Sequence, residues 1–80
     1  MKAKIHVTLK PGVLDPQGKA IESALHGLGF SDAANVRQGK VIEFTIDEGS
    51  ESAARARIDD MCKKLLANPV MENYAIELAP

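Results

Sequence analysis

The sequence predicts one small α+β domain, with two helices on one face of a mainly antiparallel, three- to four-stranded sheet. Three observations support this fold class. The 80 residues suffice for a single domain. Three segments alternate apolar and polar residues as half-buried strands do, and two intervening segments repeat apolar residues at helical spacing. Their order, strand–helix–strand–helix–strand with a possible extra short strand, is the split βαβ or ferredoxin-like arrangement.

The first strand and the first helix have clear boundaries. Strict alternation predicts a strand over residues 2–10, and Pro11-Gly12 ends it. Asp15 and Pro16 predict a helix start, because an aspartate side chain accepts hydrogen bonds from free amides and proline suits the first helical position. The apolar stripe of this helix comprises Ala20, Ile21, Ala24, Leu25 and Leu28.

The second half of the chain repeats this pattern. Residues 36–40 predict a short extended piece with a turn or bulge at Gly39, and a full strand follows over residues 42–47. Ser50 is the expected N-cap of the second helix. The buried stripe of that helix is expected to comprise Ala54, Ile58, Met61, Cys62 and Leu65. Asn68-Pro69 ends the helix, and residues 73–78 alternate as the last strand.

One face of the predicted sheet has no helix to cover it. Its residues are mainly polar and comprise Lys4, His6, Thr8, Glu43, Thr45, Asn73 and Glu77. This face is either solvated or packed against another subunit. Leu66, Val70 and Met71 add apolar surface beyond what one small core needs. Together these features predict a homodimer or homotetramer.

Composition argues against several classes of partner. The net charge is -1 and the pI is about 6.1, whereas nucleic-acid modules usually have a basic excess. No apolar run approaches the ~18 residues of a membrane span. The single cysteine, Cys62, lies on an apolar stripe and is expected to be buried and unreactive. A cytoplasmic location is therefore expected.

The polar residues do not form a recognisable catalytic or metal-binding pattern. His6 and His26 lack the spacing of zinc ligands, and the adjacent pair Asp59-Asp60 would diverge on a helix. The glycine-containing loops match no phosphate-binding motif. We therefore expect no catalytic residue, bound cofactor or metal in this chain.

Loop residues 10–18 contain two adjacent apolar side chains, Val13 and Leu14, that the predicted elements do not explain. They could tuck under the first helix, or they could form a docking point for a partner.

Three segments of the sequence resemble the PurS family. Residues 8–18 read TLKPGVLDPQG, residues 36–40 read VRQGK, and residues 62–70 read CKKLLANPV, with Tyr74 following. The first segment is long and ungapped and is therefore the most specific. The order and spacing of the other two segments strengthen the resemblance. The resemblance extends over nearly the whole chain.

This resemblance implies the small subunit of phosphoribosylformylglycinamidine synthase in de novo purine biosynthesis. In that enzyme a PurL-type synthetase subunit amidates formylglycinamide ribonucleotide with ATP and Mg²⁺, and a PurQ-type glutaminase subunit releases ammonia from glutamine. The small subunit is implied to be non-catalytic, to bind no cofactor itself and to bridge the other two for ammonia transfer. Family members are expected to form homodimers or homotetramers.

The residues that carry the resemblance are the candidate subunit contacts. They comprise Lys10, Pro11, Gly12, Val13, Leu14, Asp15, Arg37, Gly39, Lys40, Asn68 and Pro69. Arg37 and Lys40 would supply charged contacts to a partner. The alternative interpretation is a free-standing regulatory module of ferredoxin-like shape that binds a small metabolite, since a fold does not determine function.

Overall fold

The computed structural model describes all residues from Met1 to Pro80. Its elements are β1 (Lys2–Leu9), α1 (Pro16–Gly27), β2 (Gly39–Thr45), α2 (Glu51–Met61) with a following π-helical turn (Cys62–Leu66), and β3 (Glu72–Ala79). The strands form one antiparallel sheet in the order β2-β1-β3. The predicted α+β class and antiparallel sheet are confirmed.

The register of the sheet separates an apolar face from a polar one. Ile5 of β1 lies opposite Ile42 of β2 and Ile76 of β3. Because strand side chains alternate between faces, all three point to the face that α2 covers. His6 lies opposite Val41 and Ala75 on the other face, which no helix covers.

The core lies between α2 and the apolar face of the sheet. Its buried members comprise Ala3, Ile5, Val7, Ile46, Ala54, Ile58, Cys62 and Ala67. Ser50 caps α2 as predicted, since its Oγ accepts a hydrogen bond from the Ala53 amide at 3.3 Å. Cys62 is buried as predicted, and burial raises the pKa of its thiol, with the nearby Asp59 carboxylate adding to the rise. A thiol in this setting is unreactive.

The end of α2 differs from the prediction, which placed Leu65 on the buried stripe. Leu65 is 83% exposed, whereas Leu66 packs against the core. The physical reason is the π-helical turn, in which the Ala67 amide donates to the Cys62 carbonyl at 3.0 Å, five residues back. The extra residue in this turn rotates Leu66 into the place that Leu65 would occupy in a regular α-helix.

No separate short strand forms at residues 36–40. Residues 36–38 lie outside the sheet, and Gly39 and Lys40 are the first residues of β2 itself. Gly39 lies opposite Thr8 at the end of the β1–β2 ladder. The sheet therefore has three strands.

The largest departure from the prediction is the position of α1, which does not cover the sheet. Ile21 is 41% exposed and Leu28 is 74% exposed, although both belong to the apolar stripe. The long axis of the molecule measures 49 Å. This is close to the summed lengths of an eight-residue strand and a twelve-residue helix placed end to end, roughly 45 Å. Hence α1 projects beyond the end of the sheet, and only α2 packs on it.

The π-helical turn leads to a test that compares two adjacent leucines. Leu66→Ala is expected to lower the free energy of unfolding by about 1–3 kcal/mol, because Leu66 packs against the core. Leu65→Ala should change it by less than about 0.5 kcal/mol, because that side chain is exposed. Urea denaturation followed by circular dichroism measures both values. A larger loss of stability for Leu65→Ala than for Leu66→Ala would show that α2 continues as a regular α-helix.

Candidate subunit-contact site

The three sequence segments proposed as subunit contacts meet at one end of the sheet. This follows from the topology, because β1 is antiparallel to both neighbours, so its last residue lies beside the first residues of β2 and β3. Directly after β1, the Lys10 amide donates to the Met71 carbonyl at 2.9 Å. That bond joins the loop after β1 to the turn that contains Asn68 and Pro69.

The buried carboxylate of Asp15 holds two of these segments together. Its Oδ1 accepts from the Gly18 amide at 2.9 Å, which makes Asp15 the N-cap of α1 as predicted. Its Oδ2 accepts from the Gln38 amide at 2.7 Å, directly before β2 begins. The hydrogen bond from Gln38, followed by that from Gly18, lowers the pKa of Asp15 below its ordinary value.

Arg37 fixes the backbone of the loop between β1 and α1. Its Nη2 donates to the carbonyl oxygens of Lys10 and Val13, both at 3.0 Å. Its Nε lies 4.0 Å from Oδ2 of Asp15. The guanidinium therefore sets the shape of the loop from within this chain, while part of it stays exposed beside the loop.

Two glycines are required at this site by close backbone approaches. A Cβ atom on Gly18 would lie 2.5 Å from the Val36 carbonyl oxygen and 2.8 Å from Oδ2 of Asp15. A Cβ atom on Gly39 would lie 2.6 Å from the Val7 carbonyl oxygen. Any larger residue would force the backbones apart: at Gly18 it would disturb the Asp15 hydrogen bonds, and at Gly39 it would disturb the pairing of β2 with β1.

Open cavities flank Asp15 on both sides. One, of about 300 Å³, is lined by residues that include Gln38, Lys40 and Glu72. The other, of about 540 Å³, is lined by residues that include Lys19 and Glu22. Both open to solvent and are lined by charged groups of each sign, so a partner that enters either of them meets charged side chains.

The loop after β1 presents one apolar side chain outward and keeps the other closer in. Leu14 is 72% exposed, whereas Val13 is half-buried. On the turn that the Lys10 amide joins to this loop, Val70 is 81% exposed. Leu14 therefore does not tuck under the first helix, and its side chain is available to contact a partner.

For three residues of this network the sequence does not reveal the role, although two of them lie in the segments that carry the resemblance. They are Gly18, Gln38 and Glu22, whose Oε1 accepts from the Val36 amide at 3.1 Å. That hydrogen bond lowers the pKa of Glu22. A glycine in the first turn of a helix is costly, and this cost is the one signal that could have indicated a close approach at Gly18. Gln38 acts through its backbone, which no side-chain pattern reveals.

Tyr74, which follows the third sequence segment, belongs to a separate cluster between β3 and α2. Its hydroxyl donates to the Asp59 carboxylate, which also lies 2.9 Å from the Lys63 ammonium group. The hydrogen bond from Tyr74 lowers the pKa of Asp59 and raises that of Tyr74. This cluster fastens α2 to the edge of the sheet.

Comparison with known proteins identifies the family. The model of the family described as "PurS: Phosphoribosylformylglycinamidine (FGAM) synthase" matches residues 2–80. The chain belongs to the PurS family. It is 48% identical to the PurS subunit of phosphoribosylformylglycinamidine synthase from Synechocystis, over 94% of this chain and 75% of that one. It is 44% identical to the Bacillus subtilis PurS subunit, over 96% of this chain and 90% of that one.

Solved structures of PurS proteins share the fold. Methanocaldococcus jannaschii PurS, one of the subunits of formylglycinamide ribonucleotide amidotransferase, superposes with a TM-score of 0.85 at 42% identity, covering 95% of this chain and 92% of that one. A chain in the structure of PurLQS from Thermotoga maritima superposes with a TM-score of 0.86 at 30% identity, covering 95% of this chain and 93% of that one. The family expected from the sequence is confirmed.

The close approach at Gly18 can be tested against a second glycine of α1. Gly18→Ala is expected to lower the free energy of unfolding by about 1–3 kcal/mol, because the added methyl group overlaps the Val36 carbonyl. Gly27→Ala is the matched control, since nothing lies within 4 Å of the added atom, and it should change stability by less than about 1 kcal/mol. Equal effects in urea denaturation would contradict the close packing.

The Asp15 carboxylate predicts a pH dependence of stability. Because the native pKa of Asp15 is lowered from its ordinary value of 3.8, ionised Asp15 stabilises the fold above that value, and this contribution is lost as the pH falls through the native pKa. Asp15→Asn should therefore be less stable than the wild type near neutral pH, with the difference shrinking as the pH falls below the ordinary value of 3.8.

Denaturation curves over this pH range measure the effect. Asp32→Asn, a change at an exposed carboxylate in the loop after α1, is the control and should follow the wild-type profile. Parallel profiles for Asp15→Asn and the wild type would contradict the assigned role of Asp15.

Proposed function

We propose that this chain is the small, non-catalytic subunit of phosphoribosylformylglycinamidine synthase in de novo purine biosynthesis. The observation that carries the proposal is the match of residues 2–80 to the PurS family model. The similarity to a chain in the PurLQS structure covers 95% of this chain. It supports a PurL-type synthetase subunit and a PurQ-type glutaminase subunit as the partners.

In this role the chain joins the two partners so that ammonia released from glutamine reaches the synthetase subunit. ATP and Mg²⁺ belong to the synthetase reaction and would be bound there. The contribution of this chain is then structural, since it supplies a surface of fixed shape to subunits that carry the chemistry.

The end of the sheet described above suits that role. The Arg37 guanidinium donates hydrogen bonds to backbone carbonyl groups of the loop after β1. In the loop held this way, the Leu14 side chain is exposed to solvent. A loop that is fixed before binding loses little conformational entropy when a partner covers it. The candidate contacts on this surface are the loop residues 10–15, Arg37, Gly39, Lys40 and the turn at Asn68 and Pro69.

We propose further that the chain acts in the cytoplasm as a homodimer or homotetramer. No helix in the molecule combines the length and apolar character needed to cross a membrane. Cys62 is a buried free thiol, which is compatible with a reducing compartment.

Reconstitution with PurL- and PurQ-type subunits from the same organism tests the function. Glutamine-dependent synthesis of phosphoribosylformylglycinamidine is expected to require this chain. Full activity without it would contradict the proposal. If the isolated chain instead bound a purine nucleotide or an amino acid tightly in calorimetry, that result would favour the regulatory-module interpretation.

The Leu14 side chain provides a sharper test of the contact surface. Leu14→Glu should lower glutamine-dependent activity at least about 10-fold, because it places a charge where an apolar contact is expected. Activity with added ammonium salt should change less, since free ammonia bypasses the glutaminase. The matched control is Ala56→Glu, which adds the same charge at an exposed position of α2. Equal losses in both variants would contradict a contact at Leu14.

A further inference from the structure

Four basic side chains of this molecule have no acidic partner. Six of the ten lysines and arginines lie within 4.0 Å of a carboxylate oxygen. The other four are Lys2, Lys10, Lys19 and Lys40. Lys2 lies at the start of β1, whereas the other three, here called the lysine group (Lys10, Lys19 and Lys40), lie at the opposite end of the sheet. The unpaired positive charge is thus concentrated where the candidate subunit contacts meet.

The backbone places the lysine group around the buried Asp15. Lys10 follows β1 directly, and its amide donates to the Met71 carbonyl at 2.9 Å. The Lys19 amide donates to the Asp15 carbonyl at 3.0 Å, and its side chain lines the larger of the two cavities beside Asp15. Lys40 lines the smaller cavity. Lys19 and Lys40 are exposed and Lys10 is half-buried, so their ammonium groups are available to another molecule.

The carboxylates at this end of the sheet are occupied by the backbone of the chain itself. Asp15 accepts from two amides, at 2.9 and 2.7 Å. Glu22 and Glu72 each accept from one, at 3.1 and 2.6 Å, and both are half-buried. With Arg37, this end has four basic residues against these three acidic ones, whereas the rest of the chain has six against eight. The end of the sheet is therefore positive at its surface in a chain of net charge -1.

The surroundings of the lysine group suit a protein partner. Leu14 and Val70, at the same end of the sheet, are 72% and 81% exposed, and apolar contacts with a polar rim are typical of protein interfaces. The two cavities open to solvent and carry carboxylates in their walls, which disfavours a small anion. No aromatic side chain lines either cavity, so neither offers a surface on which a nucleic-acid base could stack.

We propose that this end of the sheet docks on an acidic surface of a partner synthase subunit, where Asp and Glu side chains pair with the lysine group. The proposal rests on the proposed function, because it takes a PurL- or PurQ-type subunit as the partner. An acidic partner surface supplies the counter-charges that the inward-held carboxylates of this chain do not. Exposed charges of this kind mainly speed and orient association, while Leu14 supplies an apolar contact.

Reconstitution with PurL- and PurQ-type subunits tests this pairing through its salt dependence. The quantity measured is the concentration of this chain that gives half-maximal glutamine-dependent activity. The triple variant Lys10→Gln, Lys19→Gln, Lys40→Gln should need a roughly 10-fold higher concentration than the wild type in about 50 mM NaCl. The two should converge near about 500 mM NaCl, because salt screens exposed charges.

Lys2→Gln is the matched control. Lys2 is also unpaired but lies at the other end of β1, roughly 26 Å from Lys10, so this variant should follow the wild type. Urea denaturation should give equal stabilities for all variants, because none of these lysines forms an ion pair within the chain. Equal half-maximal concentrations for the wild type and the triple variant, or an equal rise for Lys2→Gln, would overturn the proposal. The proposed function fails separately, if full activity needs no chain at all.

Carbodiimide cross-linking tests the chemistry of the partner surface directly. The reagent joins a lysine amine to a carboxylate in contact with it and adds no spacer. In the assembled complex, mass spectrometry is expected to find Lys10, Lys19 or Lys40 joined to an Asp or Glu of a partner subunit. Links from the lysine group only to a second copy of this chain, links to the partner only from Lys2, or no link between subunits would overturn the proposal.

Discussion

The buried carboxylate of Asp15 is the interaction on which the arrangement of this molecule depends. It caps α1 through the Gly18 amide, fastens the start of β2 through the Gln38 amide and lies beside the guanidinium of Arg37. A buried carboxylate is tolerated only when hydrogen bonds and charge compensate its lost hydration. Here the compensating groups come from both ends of the segment that comprises α1 and the residues returning from it (residues 16–38, the arm). The carboxylate thus fixes where the arm leaves the sheet.

This constraint divides the chain into two parts with different sources of stability. The sheet and α2 share one apolar core, which holds the fully buried side chains such as Ile5 and Ile58. The arm is held mainly by hydrogen bonds, and its apolar residues stay on the surface. A domain of this size has a small core. Helix α1 lies outside this core, so apolar residues such as Ile21 and Leu28 remain available for contact with other subunits.

The same division suits the proposed role of a small subunit that supplies a binding surface to its partners. The end of the sheet brings together the loop after β1, the start of β2 and the turn before β3, and backbone hydrogen bonds fix their relative positions. A surface built in this way has a defined shape but few convergent reactive groups. Its use is recognition, which agrees with membership of a family of synthase subunits.

The sequence by itself determined the strands, the helices, the caps at Asp15 and Ser50, and the family, because these rest on local alternation, local hydrogen bonding and contiguous motifs. It also predicted residues 10–18 and 36–40 as subunit contacts, although not that Asp15 and Arg37 join the two segments. Only the tertiary structure decided that Leu66 replaces Leu65 in the core, since a π-helical turn changes the phase of the helix. It likewise decided the position of α1. An amphipathic stripe indicates that a helix has an apolar face, but it does not determine which surface that face contacts.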